Sequence, residues 1–126
     1  MTNTGTPIMV IDDDEDIREM LRIVLEVSGY SVATVADGAE GWEHLAAGPL
    51  PSLIILDLMM PRMDGEQFIN RLRASAQPNI PVIIMSGQNG ATEKARDVHA
   101  DAVLMKPVDL DVLLGTIAQF VSRAPS

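Results

Sequence analysis

The chain contains no cysteine, few aromatic residues and a deficit of positive charge. Without cysteine there is no disulfide, no thiolate-ligated zinc and no thiol nucleophile, which fits a cytoplasmic protein. One Trp, one Tyr and two Phe offer little to stack nucleic-acid bases on. Nine Lys and Arg stand against eighteen Asp and Glu, a formal charge of −9. Phosphate backbones need clustered cations, so this balance argues against direct nucleic-acid binding. No apolar run approaches the roughly 20 residues of a membrane span. The opening Met1 to Thr6 lacks the basic start and apolar centre of a signal peptide, so neither membrane insertion nor export is expected.

What is present is a set of short apolar runs in a chain that is 47% hydrophobic and of single-domain length. The runs at 8–11, 31–35, 53–56, 82–85 and 102–105 read as strands. Four of them are nearly continuous hydrophobes, as in parallel strands covered on both faces. Between them lie helical patterns. Ile17, Met20, Leu21, Val24, Leu25 and Ser28 form one stripe, closed by Gly29, and Leu110, Leu113, Leu114, Ile117 and Val121 form another. Phe68, Ile69 and Leu72 mark a shorter helix; Ala39, Trp42, Leu45 and Ala46 mark a weaker one, and 91–98 is weakest. This alternation predicts an α/β doubly wound (βα)5 sandwich with a five-stranded parallel sheet over 7–122, flanked by flexible ends at 1–6 and 123–126.

The polar residues gather where the runs end. The first is followed by Asp12, Asp13 and Asp14, the third by Asp57, the fourth by Ser86 and the fifth by Lys106. Singly these have ordinary explanations: an acidic N-cap, turn formers, a snorkelling lysine. Jointly they converge on the rim beyond the strands' carboxyl ends, where open parallel sheets bind ligands. Crowded carboxylates repel unless a cation intervenes, and an all-oxygen set suits Mg²⁺, with Mn²⁺ as a substitute. A carboxylate can also attack phosphorus, and Asp57, alone in the middle of the sheet, is the best nucleophile candidate. Lys106 would then pair with the phosphoryl group and the Ser86 hydroxyl would donate to it.

The segments "VIDDDED" (10–16), "LIILDLMMPRMDG" (53–65), "VIIMSG" (82–87) and "VLMKPVD" (103–109) resemble the receiver domain of two-component response regulators, of the single-domain chemotaxis type. The resemblance covers about residues 7–122. It implies a flavodoxin-like receiver fold, with Asp12 and Asp13 as the metal-binding acids and Asp57 as phosphoacceptor. It also implies a metal contact from the Met59 backbone carbonyl, Ser86 as switch hydroxyl, Lys106 as phosphate-pairing lysine and a cis Lys106–Pro107 bond. The implied partners are a histidine kinase or histidine phosphotransfer protein and an unnamed downstream protein. The chain would act as a monomer or weak dimer that catalyses only its own phosphorylation and dephosphorylation.

Certain positions depart from the family pattern. An aromatic residue commonly lies three positions before the lysine, where this chain has Val103, a stiff side chain with little swing. The switching signal is therefore expected to run through the 86–92 loop and the 91–98 helix. His99 stands where the family often has Gly; it and His44 read as surface residues. Met59 should shield the phosphoryl group from water, giving it a longer lifetime than in Met59→Asn, and Gln88 is a second influence on that step. Asp57→Asn should stabilise the metal-free protein and weaken Mg²⁺ binding. Three other readings remain: a receiver belonging to a longer regulator or hybrid kinase, an aspartyl-phosphate phosphatase, and a flavin-binding module of similar topology. The phosphatase would want an acid at Met59, and "DDDED" would repel a flavin phosphate.

Overall fold

The computed structural model describes residues 5–57, 65–75, 79–87 and 100–121. In chain order the elements are β1 (Thr6–Ile11), α1 (Glu15–Val27), β2 (Tyr30–Val35), α2 (Gly38–Ala47), β3 (Leu53–Asp57), α3 (Gly65–Arg73), β4 (Val82–Ser86), β5 (Ala102–Met105) and α4 (Leu110–Val121). The strands form one parallel sheet in the order β2-β1-β3-β4-β5. This is the doubly wound arrangement that the alternation predicts. The helix expected over 91–98 and the terminal segments 1–4 and 122–126 lie outside the described residues.

Strand side chains alternate between faces, so a run that is apolar throughout serves two cores. Met9, Ile11, Ile54, Leu56, Val82 and Ile84 pack against Leu45 of α2 and Phe68, Ile69 and Leu72 of α3. Ile8, Val10, Leu53, Ile55, Ile83 and Met85 pack against Leu21 and Leu25 of α1 and Leu113 and Ile117 of α4. Val103 joins the first cluster from a partly buried position. Among the described residues no helix is long and apolar enough to cross a membrane.

Two details differ from the periodicity. In α2, Ala46 faces solvent while Gly41 is buried. A Cβ at Gly41 would lie 2.9 Å from Phe68 Cε1 and 3.0 Å from Ile11 Cδ1, so a hydrogen is what lets the helix approach so closely. In α1, Ser28 is the C-cap rather than part of the stripe, and Gly29 follows at φ 99°. Among the described residues two X–Pro bonds are cis: Lys106–Pro107, as expected, and Gly48–Pro49.

Candidate phosphoacceptor and metal site

The chain leaves β1 for β2 on one side and returns to β3 on the other. The crevice between the carboxyl ends of β1 and β3 is therefore the topological switch point of the sheet. The parallel register pairs Ile11 with Leu56, Asp57 with Met85 and Ser86 with Met105. It therefore brings Asp12, Asp57, Ser86 and Lys106 to the same rim. Asp12 is fully buried, Asp57 and Ser86 nearly so, and Asp13 is exposed at the mouth.

Asp12, Asp13 and Asp57 can each offer a carboxylate oxygen, and those oxygens lie within 4.8 Å of one another. Lys106 reaches across from the fifth strand. Its Nζ donates to Asp12 Oδ2 at 3.2 Å and to Asp57 Oδ2 at 3.3 Å. Burial works against the ammonium charge, but the attraction and hydrogen bonds of the two carboxylates outweigh it and raise the Lys106 pKa above its ordinary 10.5.

The turn carrying the acids is tightly held. Asp12 Oδ1 accepts from the Asp14 N–H at 2.9 Å. Asp14 in turn caps α1, its Oδ1 accepting from the backbone N–H groups of Asp16 at 2.9 Å and Ile17 at 3.1 Å. Here the ordinary and the functional explanations of "DDDED" divide the residues between them: Asp14 caps the helix while Asp12 and Asp13 face the crevice. One residue that the sequence pattern does not mark also enters. Arg18, on α1, donates from Nη1 to the Asp12 carbonyl at 2.8 Å.

The expected set thus assembles for Asp12, Asp13, Asp57 and Lys106, with Ser86 at the end of the neighbouring strand. Met59, Gln88 and His99 lie outside the described residues. His44 sits half-buried on α2, and its carbonyl accepts from the Gly48 N–H at 3.1 Å. Fit to a divalent ion rests on the donor set itself: three carboxylate oxygens, two of them from buried residues, with the Lys106 ammonium on Asp12 and Asp57.

The model of the response regulator receiver domain family matches residues 8–118. The chain belongs to that family and is a receiver domain of two-component signalling. It is 36% identical over 118 residues to response regulator MprA of Mycobacterium sp. (strain KMS), covering 92% of this chain and 50% of that protein. The chain thus spans about half the length of the curated relatives it matches. Chemotaxis protein CheY4 of Vibrio cholerae superposes with a TM-score of 0.84 at 28% identity, over 93% of this chain and 99% of that one. The signal receiver domain of a histidine kinase from Syntrophus aciditrophicus superposes at 0.86 and 27% identity, over 97% and 96%. The family match leaves the flavin-binding and phosphatase readings without support.

Proposed function

We propose that Asp57 is the phosphoacceptor of a Mg²⁺-dependent phosphorelay step, taking its phosphoryl group from a histidine kinase or histidine phosphotransfer protein. The observation that carries this reading is the grouping of three carboxylate oxygens within 4.8 Å, with the Lys106 ammonium on Asp12 and Asp57. Asp12, Asp13, Asp57 and the Met59 carbonyl would hold the ion, with Mn²⁺ as a substitute. When bound, the ion supplies positive charge that neutralises phosphoryl oxygens.

An Asp57 carboxylate oxygen attacks the phosphorus of the phosphohistidine in line with the P–N bond. The P–O bond forms, the P–N bond breaks, and the donor imidazole leaves with the electron pair and takes up a proton. β3, buried along its length, fixes Asp57 against recoil. Lys106 is already beside the acceptor carboxylate and exchanges part of that contact for a phosphoryl oxygen. Ser86, at the end of β4, donates its hydroxyl to another oxygen, and the surface from 86 to 109 shifts for a downstream protein. Val103 packs into the core rather than carrying an aromatic ring, which supports a route through the loop after Ser86.

On this reading the chain catalyses only the gain and loss of its own phosphoryl group, in the cytoplasm, as a monomer or weak dimer, without touching nucleic acid. A second context, a receiver within a longer regulator or hybrid kinase, is favoured by the half-length match to MprA and by the kinase-borne receiver of the same fold. The test is incubation with Mg²⁺ and acetyl phosphate, read by intact mass. Wild type should gain one phosphoryl group and Asp57→Asn none; equal uptake by the variant refutes the assignment.

A further inference from the structure

Asp12 and Asp13 are held by different means. Asp12 is fully buried, with one oxygen on the Asp14 N–H and the other on Lys106. Asp13 is exposed at the mouth, so where its carboxylate points depends on how its backbone is set. The peptide joining the two residues is planar. A group that grips the Asp12 carbonyl therefore also fixes the nitrogen and Cα of Asp13.

Arg18 supplies that grip. It lies six positions further on, in the second turn of α1, and its Nη1 reaches back over the first turn to the Asp12 carbonyl at 2.8 Å. Its own N–H donates to the Asp14 carbonyl at 3.0 Å. The Asp12 N–H meanwhile donates to the Val35 carbonyl at 3.2 Å, across the β1–β2 boundary. The Asp12–Asp13 corner is thus pinned from the sheet on one side and from α1 on the other. The long Arg18 side chain spans the gap, and the rigid guanidinium fork loses less freedom in doing so than an ammonium on a flexible stem.

We infer that Arg18 is a positioning residue for the divalent ion, holding the Asp12–Asp13 peptide so that the exposed Asp13 carboxylate is aimed at the cation before it arrives. The inference rests on the metal reading proposed above. Two effects of Arg18 oppose each other: its positive charge near the crevice repels a cation, while its hydrogen bond preorganises a ligand. The bond to the carbonyl is short and direct, whereas the guanidinium charge is set against a rim where three carboxylates already outnumber the Lys106 ammonium and attract a cation. Positioning wins, and removing Arg18 weakens the ion rather than tightening it. Partners that orient metal ligands from behind cost about 10- to 100-fold in affinity when lost.

The experiment is a Mg²⁺ titration of the full chain followed by amide chemical shifts, for wild type, Asp13→Asn, Arg18→Met, Arg18→Gln and Arg18→Lys, each paired with a metal-free thermal melt. Wild type should saturate and Asp13→Asn should not. Arg18→Met and Arg18→Gln should bind about tenfold more weakly, with the deficit persisting when added KCl screens charge. Arg18→Lys should recover part of it. At saturating Mg²⁺, phosphorylation of Arg18→Met by acetyl phosphate should return to the wild-type rate. A lowered melting temperature with unchanged Mg²⁺ affinity, or tighter binding in the neutral variants, overturns the inference while leaving the metal site standing. If Arg18→Met does not fold, Arg18→Gln decides by the same criteria. A wild type that ignores Mg²⁺ overturns the metal reading and this inference together.

Discussion

Three carboxylates face the Lys106 ammonium, which pairs with Asp12 and Asp57, so the described rim carries an excess of negative charge. Asp12 and Asp57 are both buried, so their repulsion is poorly screened. Replacing Asp57 by Asn removes that repulsion and the cost of desolvating one carboxylate, while Lys106 keeps Asp12 as its partner at 3.2 Å. We expect metal-free Asp57→Asn to be more stable than wild type, by about 1 kcal/mol, because it relieves repulsion between two neighbouring buried carboxylates while the Lys106 ammonium stays paired with Asp12. Urea titrations in chelator measure this, and a variant clearly less stable would show that Lys106 already balances the acids. The same variant should bind Mg²⁺ more weakly, since a neutral amide replaces one ligand charge. Met59 belongs to the same scale. Its apolar side chain should slow hydrolysis, so Met59→Asn should lose its phosphoryl group faster, and equal lifetimes would remove Met59 from the account.

Helices α2 and α4 place identical residues in opposite circumstances. A Cβ at Gly115, exposed within α4, would meet nothing within 4 Å, so Gly115→Ala should stabilise by about 1 kcal/mol through helix propensity alone. Gly41→Ala makes the same backbone gain but drives a methyl against Phe68 and Ile11, both fully buried and unable to yield cheaply. Overpacking of that kind costs about 1–3 kcal/mol, so the net change should be destabilising. Paired denaturation curves decide it, and a stabilised Gly41→Ala would mean that α2 rides more loosely on the sheet than the distances imply. These glycines also show where the sequence was readable. The strands could be read because each continuous apolar run has to feed two cores, and the rim acids because they follow those runs directly. The packing face of α2 was obscured because Gly41 contributes closeness, which hydrophobic periodicity cannot register. Arg18 was missed because its target is a backbone carbonyl, and no side-chain pattern marks one. The clasp in which Arg73 binds the Ile80 carbonyl at 2.7 Å and Asp101 at 2.9 Å was likewise invisible, since its partners meet only after α3 and the β4–β5 edge have packed.

Across the whole molecule, chemistry and packing are segregated along the strand axis. The carboxyl ends of the strands carry the acids and Lys106, while Tyr30, the chain's one tyrosine, lies buried at the start of β2. Both Tyr30 and Lys106 hold protons more tightly when folded: Tyr30 because burial disfavours phenolate, and Lys106 because its two carboxylates outweigh its burial. A raised folded pKa contributes stability that is fully present below the unfolded value and is lost as pH climbs through the folded one. With unfolded values near 10 and 10.5, stability should hold level on the approach to pH 10 from below and fall beyond it, although the two groups sit at opposite ends of the sheet. The formal charge of −9 becomes more negative over the same interval, adding general repulsion in the same direction. Local linkage separates from that background by mutation. Tyr30→Phe keeps the ring and removes the titrating hydroxyl, and Lys106→Met removes the ammonium. In metal-free urea titrations between pH 8 and 12, each variant should lose stability less steeply above about pH 10 than wild type, and the double variant least steeply of all, because the sites are distant and their effects should add. Parallel slopes in all four proteins would assign alkaline unfolding to net charge alone and detach Lys106 from its carboxylates.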